Sequence, residues 1–230
     1  MNNFFQQSLF GGMILSVLAY ELGLYLKKKF RLALFNPLLI SILVTLLVLL
    51  GAHISYDSYY VGAQYLSYLL TPATVCLAIP LYEQFSLLKK NWVAVVAGIC
   101  SGVLSSLCSI FVMALIFRLE HEHYVTLLPK SITTAIGMGV ADELGGFVPL
   151  AVASIVITGV LGNIIAESVL KFFHITEPIA KGVAIGSASH AIGTTKAMEM
   201  GETEGAMSSL SIAVCGLLTV LGASIFSHIL

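Results

Sequence analysis

Ionisable side chains are scarce in this chain and gathered into short stretches, which constrains its folding more than any motif does. Val93–Phe117, for example, contains no Asp, Glu, Lys, Arg or His. Only 10% of the residues are charged and 58% are hydrophobic, against roughly 25% charged in soluble domains. A globular surface needs ionisable groups to stay dispersed in water, so the pattern argues against a soluble enzyme and leaves no room for a large extramembrane domain. A helix crossing a bilayer needs about 20 apolar residues, so eight would use roughly 160 and leave short loops. The expectation is an all-α polytopic membrane protein, a single transmembrane domain over 1–230 with about 7–8 membrane segments, some discontinuous or re-entrant.

A formal net charge of −1 gives no support for nucleic-acid binding, which relies on Lys and Arg to neutralise phosphates. Cys76, Cys100, Cys108 and Cys215 sit in apolar runs without zinc-ligand spacing and read as small hydrophobes. No metal and no cofactor is expected. The start MNNFFQQSLFGG lacks a basic leader and a small-residue cleavage site, so Leu9–Leu26 reads as a retained span.

That first span ends at Lys27, Lys28, Lys29 and Arg31, a cluster expected on the cytoplasmic side with the N-terminus outside. Leu34–Gly51 returns the chain, and His53 to Tyr60 reads as a polar connection. Tyr65–Tyr82 is long enough to cross but is interrupted by Pro72 and Pro80. Lys89, Lys90 and Trp92 mark an inner boundary before Val93–Phe117. After the loop at Arg118–Tyr124, Leu127–Leu144 is too polar and glycine-rich for a plain lipid-facing helix. Phe147–Leu170 is a conventional span, Ile179–Met198 is again polar and interrupted, and Ala206–Ile229 closes the chain. A re-entrant Leu127–Leu144 places Lys171 and Lys181 inside, in keeping with the positive-inside bias.

Broken helices are tolerated in hydrocarbon only where protein or a cavity surrounds them, and free N–H groups at a helix start favour anions. Breaks are expected at Pro72, Pro129, Gly186 and Gly193. Lys130, Ser131, Thr133 and Thr134 form one cluster of donors; Ser187, Ser189, His190, Thr194, Thr195 and Lys196 form another. Together they suit a small organic anion such as a carboxylate. The plainer reading has the hydroxyls satisfying nearby carbonyls, with Lys130 reaching for the interface. His190 is the histidine placed inside a hydrophobic segment, a proton carrier near neutrality or a structural tie between helices. Asp142 and Glu143 are candidates for proton or ion coupling, or simply a helix end at the water interface. Glu167 is expected to pair with Lys171 one turn on. His121 and His123 alternate with Glu120 and Glu122 as loop charge, and nothing resembles a soluble catalyst, so the chain is read as not an enzyme.

LLTPATVCLAIPLYEQ (Leu69–Gln84), LLPKSITTAIGM (Leu127–Met138) and GVAIGSASHAIGTTKAMEMGETEGAMSSL (Gly182–Leu210) closely resemble the LrgB/CidB family of bacterial membrane proteins. The likeness covers essentially the whole length. Two positions depart from the family pattern: Ala135 stands where a proline is usual, and Ala191 where a glycine is usual after Ser-His. The resemblance implies a multi-pass protein of the bacterial cytoplasmic membrane, with a fold like that of cation/proton antiporters and anion transporters. It implies two functions. One is movement of small acids such as glycolate, glycerate or pyruvate, which together with the polar, broken segments gives the expectation of a small-monocarboxylate transporter (pyruvate, glycolate or lactate) coupled to H⁺ or Na⁺. The alternative is antiholin-like control of murein hydrolase export and autolysis beside a small holin-like LrgA-type partner. Membrane lipids are the surroundings, and a homodimer is the expected assembly.

Overall fold

The computed structural model describes residues 2–30, 35–69, 72, 75, 76 and 78–230. Every regular element among them is helical: α1 Asn2–Gln7, α2 Gly11–Phe30, α3 Pro37–Gly51, α4 Tyr56–Tyr68, α5 Ala78–Glu83, α6 Phe85–Phe117, α7 His121–Leu127, α8 Thr134–Glu143, α9 Val148–Phe172, α10 Pro178–Met200 and α11 Glu202–Ser227. By length and composition, α6, α9 and α11 each suffice to cross a membrane, and α3 is a shorter apolar helix. The chain is thus an all-α polytopic membrane protein. It divides into two compact units, Met1–Cys76 and Leu77–Leu230.

In the first unit, Asn36 caps α3 by accepting from the N–H groups of Leu38 (2.9 Å) and Leu39 (3.2 Å), with Pro37 in the first turn. Ser55 caps α4 in the same manner through Ser58. The helix therefore begins at Tyr56, inside the stretch expected to be a polar connection. A local cap outweighs the tyrosine-rich composition there. α2 and α4 cross closely because Gly12 and Gly62 lack side chains; a Cβ on Gly62 would stand 2.7 Å from the Gly12 nitrogen. The Tyr59 hydroxyl and Ser16 Oγ share a 2.6 Å hydrogen bond beside that crossing. The interrupted span over Tyr65–Tyr82 is divided between α4 and α5. Pro72 itself is helical and exposed, but Thr71 and the flanking Ala73 and Thr74 lie outside the described residues, as do Arg31 and Leu34.

The second unit is organised by two chain reversals. α8 has 10 residues and a length of about 15 Å, half of a ~30 Å hydrocarbon core. Its surroundings explain how so short a helix is accommodated. The Phe147 N–H donates to Thr126 Oγ1 at 2.7 Å, so the end of α7 meets the start of α9. Residues 127–146 leave and return to one place, turning back through Pro129–Thr133 and along α8. Gly145, at φ +78°, makes the exit turn in a conformation that suits glycine.

α10 reverses as well. In a straight helix Lys181 and Met200 would stand about 28 Å apart, yet both line one cavity with Leu170, Lys171 and His174. The helix departs from regular geometry at His190, φ +43° and ψ −142°. Gly186 and Gly193, where breaks were expected, are helical and serve instead as close contacts. A Cβ on Gly186 would stand 2.8 Å from the Ser208 Cα, and one on Gly193 would stand 3.1 Å from Ile185 in the other arm.

The two hairpins enter from opposite ends. Tyr124 in α7 donates to the Phe226 carbonyl (3.0 Å) at the end of α11, and its ring lies 6.3 Å from that of Phe111, late in α6. That is the end from which residues 127–146 enter. The mouth of α10 lies instead beside Asn91, where α6 kinks, and Glu177.

Candidate functional site

Between the hairpins lies a cavity of about 660 Å³, rich in hydroxyls. α6 contributes Ser101, Ser105, Ser106 and Ser109, whose four-residue spacing from Ser101 through Ser105 to Ser109 keeps those three on one side of the helix. The first hairpin contributes Lys130 and Ser131, α9 contributes Thr158 and Gly162, and α10 contributes Ser187 and Ser189. Lys130 Nζ lies 3.1 Å from Ser131 Oγ and 3.4 Å from Ser106 Oγ, and those two hydroxyls are 3.1 Å apart. Among the described lining residues Lys130 is the one charged side chain, and no carboxylate pairs with it there. Placing a lysine deep in a bilayer costs about 3 kcal/mol, so an ammonium held among hydroxyls favours an anion as its counterpart.

His190 forms the tip of the second hairpin without lining the cavity. It is 2% exposed, and its Nε2 is 3.0 Å from the Ile155 carbonyl of α9. Gly159 makes room: a Cβ there would stand 2.7 Å from the His190 ring. Thr194 Oγ1 donates to the His190 carbonyl (3.0 Å) and shares a 2.7 Å hydrogen bond with Ser208 of α11. Asn163 of α9 donates to the Ile192 carbonyl at 2.8 Å and to Thr195 Oγ1 at 2.9 Å. Backbone groups disturbed by the break are thus surrounded by side-chain partners, as a hydrocarbon environment demands.

Of the residues expected in the site, the structure brings Lys130, Ser131, Ser187 and Ser189 to one cavity. Thr133 is the extended residue before α8 and Thr134 its first helical residue; neither lines the cavity. Thr194, Thr195 and His190 hold the second hairpin against its neighbours. Lys196 pairs with Glu167 at 2.7 Å and Glu199 at 3.2 Å. Glu167 therefore meets Lys196 more closely than Lys171, at 3.7 Å. Asp142 and Glu143 are exposed at the C-terminal end of α8. Pro129 lies in the turn of the first hairpin. Sequence reasoning missed Ser106, Gly162 and Asn163, although the serine spacing in α6 was a readable signal. No group of three potential metal ligands occurs among the described residues.

A family model described as the LrgB-like family matches residues 16–229. The chain belongs to the LrgB-like family. This LrgB-like chain is 36% identical over 206 residues to the uncharacterized protein YxaC of Bacillus subtilis (strain 168), covering 90% of each chain. It is 33% identical over 216 residues to the antiholin-like protein LrgB of Bacillus cereus (strain B4264), covering 94% of each. The same identity and coverage hold for the antiholin-like protein LrgB of Bacillus anthracis (strain CDC 684 / NRRL 3495). No solved structure matches.

Proposed function

We propose that this LrgB-like chain is an antiholin-like membrane protein that restrains autolysis beside a holin-like LrgA-type partner. The name carried by its Bacillus relatives supports this reading. Its place is the bacterial cytoplasmic membrane, with the N-terminus outside and a homodimer as the working assembly. Deleting the gene is expected to speed detergent-induced lysis, and restoring the full chain to slow it again. Identical lysis curves with and without the chain reject the reading.

A second reading rests on one observation, the Lys130 ammonium facing a serine-lined cavity without a carboxylate partner among the described residues. It supports binding and transport of a small monocarboxylate, with H⁺ or Na⁺ as coupling ion and His190, Asp142 or Glu143 as carriers. The two readings are compatible, since a changed carboxylate flux alters the conditions under which autolysins act. Proteoliposomes containing the wild type are expected to accumulate radiolabelled pyruvate or glycolate above empty vesicles, and Lys130→Met to fall to the empty-vesicle rate. Full uptake by Lys130→Met removes the basis of this second reading.

A further inference from the structure

Most hydroxyls around the cavity are already committed. Ser101 donates to the Gly98 carbonyl (2.8 Å), Ser109 to the Ser106 carbonyl (2.8 Å), and Ser187 to the Val183 carbonyl. Ser106 and Ser131 are occupied with Lys130 and with each other. Ser189 differs. It is 3% exposed, it lines the cavity, and its hydroxyl has no hydrogen-bond partner among the described residues. The hydroxyl oxygen is open to the cavity rather than sealed from it, so it is free to donate to whatever the cavity holds. It points towards Gly162 of α9, where any Cβ would run into its Oγ, so the missing side chain at 162 keeps this hydroxyl clear.

We infer that Ser189 is the second contact of the bound anion, so that one small monocarboxylate bridges Lys130 on the first hairpin and Ser189 on the second. This rests on the anion reading above and adds a specificity-determining residue to it. The charge requirement follows from the lining, which has one cation and no acid among the described residues. The preference for an oxyanion follows from Ser189, because glycolate carries separated oxygens that reach the ammonium and the hydroxyl at once, whereas a halide has to meet both from a single centre. A bridged ligand also ties together two elements that enter from opposite ends, so the geometry between the hairpins becomes part of what the site recognises.

The test uses the full chain purified in detergent, with thermal unfolding followed as glycolate or chloride is titrated. Glycolate is expected to raise the melting temperature of the wild type, and chloride to do so much less. In Ser189→Ala the half-saturating glycolate concentration is expected to rise roughly tenfold, the scale of a hydrogen bond to a charged group. The melting temperature without anion should not fall, since the change removes an unpartnered hydroxyl. Gly162→Ala is expected to shift half-saturation in the same direction by crowding Ser189. Wild-type half-saturation in Ser189→Ala overturns the inference, as does a Ser189→Ala chain already destabilised without anion, or an equal response to chloride and glycolate. If Lys130→Met abolishes the response while Ser189→Ala keeps it, only the role of Ser189 falls. If the wild type responds to no anion, the anion reading falls with it.

Discussion

At the scale of single residues, His190 shows how tertiary contacts override local preference. A φ of +43° is uncommon for a residue with a Cβ and costs on the order of 1–3 kcal/mol. The His190 ring offsets part of that through the Ile155 carbonyl of α9. His190→Ala is expected to lose that bond and keep the backbone strain, whereas His190→Gly loses the bond and relieves the strain. The glycine variant should therefore melt higher than the alanine variant in detergent; the opposite order removes strain as the explanation. The sequence singles out His190 because it interrupts an apolar run. It misplaces the break because Gly186 and Gly193 look like the weak points, while both are used for close approach between helices. No local pattern separates a glycine that bends a helix from one that lets a neighbour come near. Lys130 and Ser131 were legible by type and spacing, whereas their partner Ser106 stands 25 residues before Ser131 and is joined to it only by folding.

At the scale of elements, each arm of the second hairpin is fastened to a different helix. The first arm lies against α11, with Lys181 4.0 Å from Glu204, and the second is held to α9 by Lys196–Glu167 and by Asn163. The Lys196 side chain is 19% exposed and Glu167 46% exposed, so the pair is partly screened. A double-mutant cycle with Lys196→Met and Glu167→Gln should return a coupling of about 1 kcal/mol or less by thermal unfolding. Asn163→Ala is expected to cost more than Glu167→Gln, because it removes two donors beside the break. Equal melting temperatures for those two variants argue against that ranking. The first hairpin was readable from Pro129 and the polar stretch after it. α4 was not, since its start depends on the Ser55 cap and its tyrosines resemble an interfacial loop.

At the scale of the second unit, the hairpins sort the charges. The end holding the mouth of α10 carries Lys171 and Lys181, beside the Asn91 kink that follows Lys89 and Lys90, and the positive-inside bias predicts a cytoplasmic location for that end. In a background without native cysteines, cysteines replacing His174 and Glu202 are expected to react with a membrane-impermeant thiol reagent from one side, and a cysteine replacing His121 from the other. Reaction of the 174 and 202 positions from opposite sides means that α10 crosses. Two lysines alone left the re-entry of Leu127–Leu144 open in the sequence; the hydrogen bond from the Phe147 N–H to Thr126 is what shows its return, as the pairing of Lys196 with Glu167 shows that of α10.

The Thr126–Phe147 hydrogen bond closes residues 127–146 into a loop whose two ends coincide. Such an excursion adds an even number to the tally of crossings. Lengthening, shortening or excising it leaves unchanged the direction in which α9 and α11 are threaded. The hairpins are therefore free to vary in depth and chemistry over generations without turning the rest of the protein inside out, a freedom that a full crossing never has.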